Sequence, residues 1–115
     1  MSHLGFHLGL TVMFLKDFLY SLWVMVPLLF SLLASISLLG LAVGKSEGWS
    51  RLDSIYWSFV TATTVGYGDL RPLDRKSKLV AILIAFLGLI LTGIVIAAAV
   101  QATTLALTEV RHGIL

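Results

Sequence analysis

The chain has 115 residues, of which 58% are apolar and 12% charged, with a formal net charge of +2 and a mean hydropathy of +1.00. So short a chain has a large surface for its volume and would not hide that much apolar side chain as a soluble monomer, which excludes a small soluble enzyme and makes lipid the expected solvent. The basic residues are few and unclustered, so nucleic acid is not an expected partner. With no cysteine, disulfides, thiolate metal sites and a cysteine nucleophile are excluded as well.

Residues 1–17 are apolar with sparse charge and suit either an interfacial helix or a frayed terminus. His3 and His7 stand one helical turn apart there, a spacing that a metal can use but that is commoner as plain surface. An uncharged run then covers residues 18–44, about 40 Å as a helix against about 30 Å of hydrocarbon, so it is predicted to span a bilayer. It is twice the length of a signal-peptide core. Pro27 inside it is expected to be tolerated as a kink. The next 34 residues, Lys45–Lys78, hold ten of the fourteen formal charges, far more chain than a hairpin needs. Within them Ser50 followed by Asp53 resembles a capping box and predicts a short helix over 51–63, with Ile55, Phe59 and Ala62 on one face. A glycine-containing segment, 64–69, follows that helix. A second uncharged run, 79–108, predicts a longer spanning helix, rich in small residues suited to close helix contact. Two spans joined by a short helix and a glycine-rich loop read as an all-α membrane protein with a re-entrant segment. Irregular backbone at that depth must be buried in protein or line a water-filled path.

The run Thr61-Ala62-Thr63-Thr64-Val65-Gly66-Tyr67-Gly68-Asp69 carries the chemistry. A dehydrated cation needs several oxygen ligands, and backbone carbonyls supply them only if successive residues point their carbonyls the same way. Glycines at alternate positions permit this, because glycine reaches positive φ at little steric cost. Gly66 and Gly68 have that spacing. Val65 and Tyr67 would then point away from the axis and brace the ring. Four copies around an axis would stack rings of carbonyls above a ring of Thr64 hydroxyls.

Residues 64–69 resemble the selectivity-filter signature of potassium channels, and Tyr56-Trp57-Ser58-Phe59-Val60-Thr61-Ala62-Thr63 resembles that family's pore helix. The resemblance runs from about Phe18 to Thr108 and is closest to the prokaryotic class with two spans per chain. It implies an outer helix at 18–44, a pore helix at 51–63, a filter at 64–69 and an inner helix at 79–108, with four chains around one pore. By that resemblance Thr64, Val65, Gly66, Tyr67 and Gly68 form the filter. The Thr64 hydroxyl and the carbonyls of Thr64 to Tyr67 hold K+, the permeant ion, with no organic cofactor. Tyr56, Trp57, Val60, Thr63 and Asp69 support the filter, with Asp69 at the outer mouth and Tyr56 and Trp57 within reach of Asp69 or Tyr67. Gly88, twenty residues after Gly68, stands where this class places its hinge glycine; simple helix packing is the alternative, as it is for Gly93. Val60 departs from the proton-gated bacterial member, which has a glutamate at that position. A buried carboxylate pair with Asp69 is therefore impossible here.

On the inner helix Thr92, Ile96, Val100 and Thr103 recur near one face and are expected to line the cavity, with Gly88 and Gly93 at the hinge or gate. Gln101 is expected to bond a neighbouring helix. Glu109 at the end of the span reads first as an ordinary charge at the membrane boundary, with a ring of four carboxylates as the alternative, and His112 reads as a terminal surface group, with titration in a gate as the lesser alternative. The central loop carries six of the eight basic residues, which by the positive-inside rule would place it in the cytoplasm. The resemblance places the filter outside and both termini inside. A cytoplasmic regulatory domain beyond these residues would redress the imbalance. No arginine-rich helix suggests voltage sensing. The expected function is passive, potassium-selective conduction by a homotetramer in a lipid membrane, without catalysis. A poorly selective cation channel and a non-conducting helix-hairpin scaffold are the alternatives.

Overall fold

A computed structural model describes residues 3–113. It has four helices and, among the described residues, no strand: α1 (His3–Val24), α2 (Val26–Glu47), α3 (Arg51–Ala62) and α4 (Arg75–Gly113). The architecture is all-α, with two helices, α2 and α4, long and apolar enough to cross a membrane. α4, at 39 residues, is roughly 58 Å long and exceeds the hydrocarbon thickness by a wide margin.

The helix boundaries shift the sequence reading in one place above all. The run at 18–44 is not one helix. It divides at Met25, with residues 18–24 ending α1 and α2 beginning at Val26. The cause is Pro27, which has no N–H and whose ring collides with a carbonyl one turn back, so it is accommodated in the first turn of a new helix. Met25 N closes α1 by donating to both Ser21 O (3.2 Å) and Leu22 O (3.1 Å). The remaining boundaries move by a few residues. α3 ends at Ala62, with Thr63 its cap, and α4 begins at Arg75 rather than 79 and runs on past 108 to Gly113. Residues 3–17 are helical and continuous with the rest of α1.

The chain divides into two compact units, 28–92 and α1 together with α4 from Gly93. The first contains α2, α3, the loop and the first half of α4. Its core is Ile36, Val43, Trp57, Ala62 and Ile84. Trp49 joins it, its ring centroid 5.3 Å from that of Trp57. α2 and α3 approach through small residues. Gly40 lies against Ser58 and Gly44 against Ser54, so closely that a Cβ on either glycine would overlap the serine side chain. Both serines are buried, and each satisfies its hydroxyl on its own helix, Ser54 with Ser50 O and Ser58 with Ile55 O. The buried face of α3 is therefore Ser54, Trp57, Ser58 and Ala62. Of Ile55, Phe59 and Ala62, expected on one face, only Ala62 is buried; Ile55 and Phe59 are half-buried. Close backbone approach needs small side chains at the contact, and that requirement outranks hydrophobicity here.

In the second unit α1 runs antiparallel to the end of α4. Ala98, Ala102, Ala106 and Val110, each four residues after the last, form its buried stripe. α1 offers bulkier cover, including Phe14 and Phe18, whose rings stack at 5.6 Å. Much of the apolar surface of both units stays open, including Phe30, Leu38, Phe86, Leu89 and Ile90. Exposed side chains of this kind, on helices of this length, are what lipid or further protein covers.

Candidate functional site

α3 is built to stop where it does. Ser50, in extended conformation, caps its start by accepting from Asp53 N at 3.1 Å, and Asp53 places a carboxylate against the positive end of the helix dipole. At the other end Val60, Thr61, Thr63, Thr64 and Val65 crowd the helix with β-branched side chains, which weaken helical propensity. Thr63 N still reaches Phe59 O (2.9 Å) and its hydroxyl takes the same carbonyl (2.6 Å). Thr64 N then donates to Thr61 O (3.2 Å) and Gly66 N reaches back to Val60 O (3.1 Å), and the chain leaves the helix.

The loop that follows has an unusual backbone. Thr64, Gly66 and Gly68 have φ of +64°, +55° and +80°, while Val65 and Tyr67 do not enter the positive region. Positive φ is ordinary for glycine, but for a β-branched threonine it is an outlier that costs about 1–3 kcal/mol and persists only where the surroundings impose it. Alternation of the sign of φ over five residues allows successive carbonyls to face one way instead of alternating as in a strand. Nothing in the chain lies within 4 Å of where a Cβ on Gly66 or Gly68 would stand, so conformation, not crowding, requires glycine there. Residues 63–69 are exposed, among them Val65 and Tyr67.

The flanks hold the loop in place. Asp69 accepts from Tyr56 OH through Oδ2 (2.9 Å) and from Leu70 N through Oδ1 (3.1 Å), tying the end of the loop back to α3. The bond to Asp69, with its negative charge close by, holds the Tyr56 hydroxyl protonated above its usual range. Of the two aromatic residues expected near Asp69, only Tyr56 reaches it by a hydrogen bond; Trp57 turns into the core against Trp49. Val60 stands beside a cavity of about 200 Å³ behind the loop, shared with Thr61, Gly66, Gly68 and Asp69. At the far end of the loop Glu47 accepts from Leu73 N (2.8 Å) and Asp74 N (2.9 Å) through one oxygen. This carboxylate, from the end of α2, satisfies backbone donors at the start of α4 and clamps the loop's second anchor.

Gly88 packs against the end of α3. A Cβ there would fall onto the carbonyl oxygen of Ala62, with Ala62 C and Cα each 2.5 Å away. α4 continues through Gly88 without a break. Gly93, by contrast, has open space where a Cβ would stand. Thr92, Ile96, Val100 and Thr103 are all exposed along α4, and Thr103 lies beside Ala106 at a cavity shared with Leu10, Thr11 and Phe14 of α1. Gln101 makes no hydrogen bond among the described residues; it faces a cavity beside α1. His3, His7 and His112 join no group of three metal-ligating side chains among the described residues.

Sequence reasoning passed over Glu47, Trp49 and the Gly40–Ser58 and Gly44–Ser54 pairs. The small pairs had a signal, since Gly40 and Gly44 are spaced four apart, as Ser54 and Ser58 are. The role of Glu47 had none, because its partners lie 26 and 27 residues away in sequence.

The family described as ion channel matches residues 10–104. The chain is 45% identical over 53 residues to TWiK family of potassium channels protein 7 of Caenorhabditis elegans, covering 46% of this chain and 10% of that protein. It is 48% identical over 42 residues to two-pore potassium channel 1 of Arabidopsis thaliana (36% and 12%). It is 47% identical over 38 residues to potassium voltage-gated channel subfamily A member 5 of Homo sapiens (33% and 6%). The matched segments thus span between 6% and 12% of the length of these relatives. No solved structure matches the chain.

Proposed function

Because this chain belongs to the ion channel family, a class of membrane proteins rather than enzymes, we propose that it forms the pore of a homotetrameric, potassium-selective channel. The observation that carries the reading is the loop at Thr64–Gly68, where positive φ recurs at alternate residues next to the end of a capped helix. That backbone suits a column of carbonyl oxygens from Thr64, Val65, Gly66 and Tyr67, with Gly68 closing the column and the Thr64 hydroxyl at its base. A potassium ion exchanges its hydration shell for these oxygens, is held weakly at several positions, and moves on as the next ion enters. One chain supplies one wall of such a column, so four copies are needed to close it. The exposed Val65 and Tyr67 are the side chains available to pack between copies and hold the ring to size.

The surrounding residues take supporting parts in this reading. Tyr56 fixes Asp69 at the outer mouth, Trp57 anchors α3, and Val60 and Thr63 back the column. The negative end of α3 points toward the cavity and offsets part of the cost of holding a cation at mid-membrane. Thr92, Ile96, Val100 and Thr103 line the inner path, and Gly88 and Gly93 are the places on α4 where it would bend. The loop faces outward, and both termini lie in the cytoplasm, where a regulatory domain would act.

Flux into proteoliposomes tests this. Fast potassium uptake, little sodium uptake and arrest by barium, which matches potassium in size with twice the charge, are expected. Equal potassium and sodium flux would overturn selectivity and leave a general cation channel. A protein that stays monomeric in mild detergent would favour a helix-hairpin scaffold instead.

A further inference from the structure

The first turn of α4 carries Arg75, Lys76 and Lys78, all exposed, and none forms an ion pair among the described residues. They do not serve the helix. Cations at its positive end cost stability, and no acidic residue stands in that turn to offset them. At 100° per residue the three lie within one arc of about 160°. Ser77, Ile84 and Gly88 lie on the opposite side and are buried. Below the cations, on their own side, Leu79, Ile82, Leu83 and Phe86 are exposed. The outward face of α4 thus turns from cationic to apolar within one turn. We propose that this face binds an anionic phospholipid of the leaflet on the loop's side. Arg75, Lys76 and Lys78 pair its phosphate, and an acyl chain lies along Leu79, Ile82, Leu83 and Phe86.

Depth and charge select that class. The uncharged run of α4 begins at Leu79, so the three cations stand at the edge of the hydrocarbon, where headgroup phosphates lie. The strip from Leu79 to Phe86 descends roughly 10 Å, most of the way to the bilayer midplane. A soluble polyanion would pair the cations and leave the strip bare. A second copy of this chain would cover the strip. Copies that share one orientation in the membrane, however, bring their own cations to the same edge, where like charges repel. The neighbouring carboxylates do not neutralise the patch. Asp69 accepts from Tyr56 and Leu70, Glu47 accepts from Leu73 and Asp74, and the Asp74 carboxylate forms no ion pair among the described residues. The site requires only that α4 crosses a membrane, so it stands whether or not the loop conducts potassium. A lipid held there would sit next to Leu73 and Asp74, the second anchor of the loop.

Native mass spectrometry of the full chain, released from detergent micelles after addition of lipid, tests this without any flux measurement. The probes are dioleoylphosphatidylglycerol and dioleoylphosphatidylcholine, which share their tails and phosphate and differ in net charge. Adducts of the anionic lipid are expected to outnumber those of the zwitterionic one. Arg75→Gln, Lys76→Gln and Lys78→Gln should each cut the anionic adducts about fivefold, the share of one basic residue near a negative surface. All three side chains are exposed and unpaired, so none of these substitutions removes a contact that folding needs. Lys16→Gln, on α1, removes the same charge elsewhere and should leave the adducts unchanged. Excess inorganic phosphate should displace none of the lipid, because it has nothing to lay along the apolar strip. Equal retention of the two lipids would overturn the proposal, as would a loss in Lys16→Gln as large as in Lys76→Gln. Displacement by inorganic phosphate, or no lipid retained because neighbouring copies cover the face, would overturn it as well.

Discussion

Gly88 and Gly93 sit five residues apart on one helix, and the structure assigns their alanine variants opposite outcomes. Alanine is favoured over glycine in a helix interior by about 1 kcal/mol. At Gly93 nothing opposes that gain, because among the described residues no atom beyond the helix's own backbone and the two chain neighbours lies within 4 Å of the new methyl. At Gly88 the methyl would stand 2.5 Å from Ala62 C and Cα, whereas ordinary contact begins at 3.4 Å. α4 and α3 must therefore separate by at least 0.9 Å, the difference between those two distances, and by more to clear the Ala62 carbonyl oxygen, which lies closer still. The obstacle is backbone, which cannot rotate aside. Overpacking of this kind costs about 1–3 kcal/mol, and the gap it opens around the fully buried Ile84 loosens further contacts. After the helix gain is subtracted, Gly88→Ala should lose about 1 kcal/mol per chain while Gly93→Ala gains up to about 1 kcal/mol. Denaturant unfolding of the detergent-solubilised protein, followed by far-UV circular dichroism, measures both. Equal stabilisation by the two substitutions would refute the packing argument. It would leave bending of α4 as the reason for glycine at 88, and potassium flux in the same variants would then show whether gating moves.

Three further outcomes are expected. Tyr56→Phe removes the hydrogen bond to Asp69 and should shorten the time for which potassium flux persists after opening, read as a faster decay of uptake at constant protein. In the native protein the Tyr56 proton is held above the ordinary tyrosine range, so the bond's contribution is complete below pH 10.0. It is lost only as pH rises through the higher native value. Absorbance of the phenolate during an alkaline titration checks this, and ionisation of Tyr56 at or below pH 10 would contradict it. Glu47→Ala strands the N–H groups of Leu73 and Asp74 and should cost about 1 kcal/mol. Glu47→Gln keeps an acceptor and should cost less, as unfolding measurements would show. Replacing potassium by sodium should lower the melting temperature of the assembled protein. A filter site at 100 times its Kd contributes about 2.7 kcal/mol, and an unchanged melting temperature would count against ion binding in the loop.

Residues carried some of this directly. Charge-free runs marked two spans because a bilayer punishes charge at any position along a helix, whatever the helix packs against. The helix at 51–63 was legible because its cap, Ser50, and its first acidic residue lie within four positions of each other. The irregular backbone of the loop was legible because Gly66 and Gly68 stand two apart, a spacing at which positive φ recurs, and that is a property of the backbone alone. Tertiary structure decided the rest. Pro27 was expected to bend a helix and instead ends up starting one, since a break at Met25 lets its missing donor fall where none is needed. Ile55, Phe59 and Ala62 share one face by their spacing, yet Ser54 and Ser58 are the residues buried against α2, because only small residues fit against Gly40 and Gly44. Glu47 gained its part from chain 26 and 27 residues distant. Local conformation follows from neighbours along the chain, so it is written in order. Partners across space depend on how close two backbones come, and no run of residues states that distance by itself.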